Sequence, residues 1–154
     1  MIPTLQEYLD GLQALHADLR RAIEGLPPEA LDWSPGPDFN SIAVLAVHTA
    51  GAERYWIGDV VGREPSGRVR EAEFQTQGLS AGDLIARLDA ALTHSQTVLD
   101  ALTLFDLDTK RVSPRDGREV SVAWALAHAL AHTASHVGHI QITRQWWDQR
   151  QGEK

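Results

Sequence analysis

Apolar residues recur along this chain at intervals of three and four, in four stretches separated by polar segments that carry Pro and Gly. That interval is the period of an α-helix with one buried face. In the first stretch Leu5, Leu9, Leu12, Leu19 and Ile23 share a face. This predicts a helix over residues 4–26, with Pro3 ahead of it and Thr4-x-x-Glu7 as a capping box. The second helix starts behind Asn40 or Ser41 as cap and runs to Val61, where Gly62 ends it. The third opens on a Ser80-x-x-Asp83 cap and turns Leu84, Leu88, Leu92, Ser95, Leu99 and Leu102 inward. The fourth, residues 120–147, has no Pro and a single Gly, Gly138. Each connection is about fourteen residues or more, longer than the usual bundle loop, which permits a crossover topology rather than simple up-down-up-down order. In the last connection Asp116-Gly117 signals a tight turn, so a small hairpin-like excursion is expected there, at the rim of any site.

Composition narrows the class. A chain of 154 residues with 43% apolar content reads as one soluble globular domain, residues 1–154. The net charge is −7 and the basic pairs are isolated, which argues against nucleic acid as a partner. No apolar run approaches the length of a membrane span, and the opening MIPTLQEYLDGL reads as an amphipathic helix rather than a signal peptide. Cytoplasmic location without a membrane partner is the expectation. There is no cysteine, which removes disulfides, thiolate ligands and a protein thiol nucleophile. His, Asp and Glu remain as strong metal ligands, and any thiol chemistry must use an external thiol.

Four of the seven histidines lie in the fourth helix: His128, His132, His136 and His139. Residues four apart sit one turn above each other, so two such imidazoles can converge on one ion. Spacing alone admits three pairs: His128 with His132, His132 with His136, and His136 with His139. A third ligand must come from another helix. His48 qualifies, because Val44, Leu45, Ala52 and Tyr55 around it place it on the inward face. His16 lies on the apolar face of the first helix and reads as a buried, hydrogen-bonded histidine or as one supporting the site. His94 falls off its helix's stripe and reads as solvated. Glu53 reads as surface charge, Trp56 as packing or a pocket wall, and Tyr55 as a pocket wall.

Ala127, Ala131, Ala134 and Gly138 form a small-residue stripe that would let the second helix approach closely, or form a homodimer contact. Trp33 is expected to pack over a bundle end, and the adjacent Trp146 and Trp147 to dock either on the body or on a second subunit. There is no Glu-x-x-His, HExxH, Walker loop, GxGxxG or GxSxG, which sets aside di-iron carboxylate, metalloprotease, nucleotide and serine-hydrolase patterns.

The run Asn40-Ser41-Ile42-Ala43 leading to His48, with Glu53, Trp56 and Trp124, and then HTASHVGHIQITRQWW, resembles the DinB-like (damage-inducible, YfiT-like) family of bacterial metalloenzymes. The resemblance runs from the first helix to Trp147. It implies an all-α four-helix bundle with long crossover connections and one divalent metal held by His48, His132 and His136. Gln is common in the family where this chain has His139, and His128 stands outside the triad, so these two become candidate catalytic residues that relay protons. Three neutral imidazoles suit Zn, Ni or Fe and leave positions open, as in catalytic sites. The resemblance further implies transfer of a low-molecular-weight thiol to an electrophilic small-molecule substrate. The alternatives are a metal-dependent hydrolase and a non-catalytic metal-binding stress protein.

Overall fold

The computed structural model describes residues 1–152. Its long helices are α1 (Pro3–Ile23), α3 (Ile42–Glu53), α5 (Ala81–Asp100) and α6 (Val122–Gly152), forming a four-helix bundle. Two one-turn helices, α2 (Pro28–Leu31) and α4 (Arg70–Glu73), lie in connections that the pattern reads as loop. Strands β1 (Lys110–Val112) and β2 (Glu119–Ser121) pair antiparallel, with Arg111 opposite Val120, and make the expected hairpin. Among the described residues no helix is long and apolar enough to cross a membrane.

The helix starts follow local chemistry. The Ser41 hydroxyl accepts from the Val44 N–H at 3.2 Å, and Ser80 with Asp83 forms a reciprocal capping box. The Thr4 box is not made: the helix begins one residue earlier, with Ile2 as cap and Pro3 in the first turn, where a missing N–H costs nothing. α3 does not stop at Glu53. Its turns widen into a π-helix over Arg54–Gly62, which ends at Arg63 in the left-handed region (φ 59°) rather than at Gly62.

The long connections have a geometric cause. α1 packs on α5 and α6, and α3 packs on the same two, so α1 and α3 are diagonal, as are α5 and α6. The chain must cross the bundle end to pass between diagonal partners, and short loops cannot do that. The core has two apolar halves. One gathers Leu19, Ile23, Leu45, Leu88 and Ile140; the other gathers Leu9, Leu12, Ile57, Leu99 and Leu126.

Between these halves each long helix contributes one buried polar residue: His16, Glu53, Ser95 and Thr133. His16 Nε2 is 2.6 Å from Glu53 Oε2, and Ser95 Oγ donates to Glu53 Oε1 at 2.7 Å. Glu53 is therefore not surface charge; it is 1% exposed and sits at the centre of this layer. Tyr8 adds to the surroundings, donating to the Leu126 carbonyl at 3.0 Å. Burial, and then the nearby Glu53 charge, pushes its phenol pKa upward, so it remains a neutral donor.

Two further readings change. Ala127, Ala131, Ala134 and Gly138 are exposed, which sets aside the approach of α3 to this stripe but not a homodimer contact; α6 turns Ala125, Ala129, Thr133 and Val137 inward instead. His94 is half-buried and lies 3.3 Å from Glu64, because the wide π segment brings that stretch of chain back against α5. The terminal tryptophans dock on the body: Trp147 lies 5.8 Å from Trp33 and Trp146 lies edge-on to Phe39 at 6.2 Å.

Candidate metal centre

α6 presents His132 and His136 one turn apart, and α3 presents His48 across from them. One ring nitrogen from each lies within 4.8 Å of the others. His48 Nε2 and His136 Nε2 are each 3.2 Å from His132 Nε2. Two nitrogens bound to one tetrahedral zinc at about 2.0–2.1 Å stand about 3.3 Å apart. The cluster therefore has the spacing of a metal's ligand atoms.

The electrostatics agree. Burial, then the neighbouring imidazoles, lowers the pKa of His132 from 6.5 to about 3. The same causes lower His136 from 6.5 to about 4. Both rings are thus neutral at pH 7, with lone pairs available, as ligation requires.

A carboxylate that sequence reading missed orients His48. Glu73 Oε2 lies 2.8 Å from His48 Nδ1, which fixes Nε2 as the atom turned to the cluster. Arg68 grips Glu73 in turn, Nε to Oε1 at 2.6 Å and Nη2 to Oε2 at 2.8 Å. Burial alone would raise the Glu73 pKa, but the hydrogen bonds from Arg68 and His48 outweigh it and hold the carboxyl below its usual range. The approach depends on Gly51: a Cβ there would collide with the Glu73 carboxylate. A glycine inside a strongly helical run is the signal that points to this contact. Glu73→Ala is expected to weaken zinc affinity about 10–100-fold, read by competition with a chromophoric chelator. Unchanged affinity would remove Glu73 from the site.

The other two helix-6 histidines lie outside this cluster. His128 is stacked on Trp124 (4.8 Å, 10°) and meets Trp56 edge-on at 4.7 Å, with its ring centre 6.2 Å from that of His132. Arg118 covers the Trp124 face at 4.5 Å. Burial, then the Arg118 charge, lowers the His128 pKa. His139 is exposed, with Nδ1 3.3 Å from His136 Nδ1. Trp56 and Tyr55 are both buried; Trp56 forms one wall around His128, and Tyr55 lines a separate cavity beside Arg68. His16 pairs with Glu53 and is not one of the three clustered histidines.

The hairpin rims this region. Its turn carries Arg115, whose N–H donates to the Tyr55 hydroxyl at 3.1 Å, and Arg118, which reaches the two tryptophans.

A search of the curated proteins finds no match to the chain. Among solved structures, the chain is similar to YfiT from Bacillus subtilis, described as a probable metal-dependent hydrolase with an unusual four-helix bundle topology. The TM-score is 0.76 at 14% identity, covering 96% of this chain and 90% of that one. A DinB-like protein from Bacillus cereus gives 0.76 at 16% identity, covering 93% and 92%. A mycothiol-dependent maleylpyruvate isomerase gives 0.63 at 14% identity; the match covers 90% of this chain and 61% of the isomerase. These likenesses establish the shared bundle fold. A family model described as Mycothiol-S-transferase matches residues 4–149, and the chain therefore belongs to that DinB-like family.

Proposed function

We propose that the protein is a divalent-metal-dependent S-transferase that joins a low-molecular-weight thiol, mycothiol on the family's name, to an electrophilic small molecule. The observation that carries this reading is the convergence of three imidazole nitrogens, without any carboxylate among them, in a member of that family. The donor set fits Zn, Ni or Fe(II). It leaves the charge of a divalent ion unbalanced, which favours an anionic sulfur ligand over a neutral one. A metal held by His48, His132 and His136 supplies the lowered pKa that makes a thiol ionise at neutral pH.

The chain's residues do the rest. Glu73 fixes the His48 ring, and His139 stands against the outer nitrogen of His136. In the transfer a sulfur–carbon bond forms, the bond from carbon to its leaving group breaks, and the thiol proton ends on the leaving group or in solvent. His128 and His139 are the proposed carriers of that proton, and His128 lies in an aromatic slot made by Trp56 and Trp124.

Hydrolysis at the same centre is the second reading, favoured by the likeness to YfiT. One assay separates them. Protein loaded with zinc is given an alkyl halide with and without mycothiol, and free thiol and halide are followed together. The proposal expects one halide ion released for each thiol consumed, a turnover abolished by a chelator and restored by zinc. Halide release that ignores the thiol would replace transfer by hydrolysis.

A further inference from the structure

Beside the three-histidine cluster lies a second cavity of about 300 Å³, bounded by Tyr55, Asp59, Arg68, Arg70 and Arg115. Three guanidinium groups on so small a wall are unexpected in a chain of net charge −7. Their partners make the imbalance sharper. Asp59, the one carboxylate in the wall, is already occupied: Arg54 donates to Oδ1 at 2.8 Å, and the Ser66 N–H and hydroxyl take Oδ1 at 3.1 Å and Oδ2 at 2.8 Å. Arg68 is neutralised by Glu73. Arg70 makes no ion pair among the described residues and lies over the Phe74 ring at 4.8 Å. Arg115 has only Asp116, at 3.9 Å across exposed side chains, a separation at which an ion pair contributes little.

The wall is also held in place. Tyr55 is fixed at its hydroxyl by Ser113 at 2.7 Å and by the Arg115 N–H at 3.1 Å. The Arg115 guanidinium lies 6.0 Å from the Tyr55 ring centre and that of Arg68 lies 5.7 Å from it. A guanidinium within about 6 Å of an aromatic ring is drawn to its face, and the Arg115 group, unlike that of Arg68, keeps its N–H fork for an oxygen anion. Arg68 and Arg70 link the cavity to the outer side of the cluster: Arg68 Nη2 is 3.4 Å from His48 Nδ1, and Phe74, under Arg70, is 5.1 Å from the His48 ring.

We propose that the cavity between Tyr55, Arg70 and Arg115 is a subsite for a carboxylate group of the protein's small-molecule substrate, holding that molecule beside the three-histidine cluster. This rests on the small-molecule transfer reading above. A planar carboxylate matches the bidentate fork of Arg, and the aromatic floor excludes water from one side of the pair. The carboxylate belongs to the electrophile, because mycothiol, whose cysteine carboxyl is bound in an amide, carries none. Succinate is therefore expected to inhibit competitively against a carboxylate-bearing electrophile and not against the thiol.

The test is a binding measurement that needs no turnover. Succinate and its neutral diamide are titrated calorimetrically into metal-free and zinc-loaded protein, wild type, Arg70→Ala and Arg115→Ala. Both side chains are exposed, so the variants are expected to keep the wild-type circular dichroism and melting temperature. The proposal expects succinate to bind in both metal states, the diamide to bind at least about tenfold more weakly, and each variant to lose about tenfold in affinity for succinate. Succinate binding that requires zinc and ignores both arginines would place the carboxylate on the metal and overturn the subsite. So would equal binding of succinate and diamide, or the absence of any binding. Loss of thiol transfer in the separate assay, with arginine-dependent succinate binding intact, would overturn the functional reading and leave the subsite standing.

Discussion

His132→Ala is expected to leave a folded protein that no longer retains zinc. His132 is the centre of the cluster, the ring to which both other imidazoles come within 3.2 Å. It is half-buried on one face of α6, whose fold is held by the inward Ala125, Ala129, Val137 and Ile140. Structural zinc sites in small peptides bind with about 10–16 kcal/mol, so one donor of three carries on the order of 4 kcal/mol, about a thousandfold in affinity. After dialysis, metal per chain should fall from about one to below about a tenth. His48→Ala and His136→Ala should behave alike. His128→Ala and His139→Ala should keep the metal and lose turnover, since neither ring stands in the cluster. Elemental analysis of the five variants reads this directly. Metal kept in the first three and lost in the last two would transfer the site to His128 or His139.

The second large effect is on stability, at Glu53. Glu53→Leu strands His16 inside the bundle and leaves the Ser95 hydroxyl without its acceptor. Leaving a buried polar group without its partner costs about 1–3 kcal/mol, so His16 and Ser95 together lose on the order of 3 kcal/mol. For a chain of this size that corresponds to a fall of roughly 6–12 °C in melting temperature. His16→Leu combined with Glu53→Leu should recover much of the loss, because leucines can join the apolar halves above and below the layer. A single Glu53→Leu variant that melts within about 2 °C of wild type would mean that the layer does not hold the helices in register.

What the sequence made legible follows from what periodicity encodes. The inward stripes of the first three helices, the Ser41 and Ser80 caps and the Asp116-Gly117 turn are local, so the helices, two of their starts and the hairpin could be read from neighbouring residues. That a pair of α6 histidines one turn apart could meet His48 was legible from spacing and from its apolar neighbours, but spacing admitted three pairs, and only the family resemblance singled out His132 and His136. Glu73 was not legible, because it rides on a one-turn helix inside a polar connection and is placed by a contact with α3 that no local pattern specifies. Glu53 was misread for a related reason. It lies five residues past His48, where α3 is about to widen into the π-helix, and its partners come from α1 and α5. The stripe of small residues on α6 shows the opposite error. Alanine is as content on a helix's outer face as on its inner one, so its spacing says nothing about which side is buried.

The central claim is that three imidazoles from two helices hold one metal ion. X-ray absorption spectroscopy of the zinc-loaded protein counts the ligands without reference to activity. Three imidazole nitrogens at about 2.0–2.1 Å are expected, with the remaining position taken by water or, on adding thiol, by sulfur at about 2.3 Å. A shell of four imidazoles, or one dominated by carboxylate oxygen, would contradict that claim.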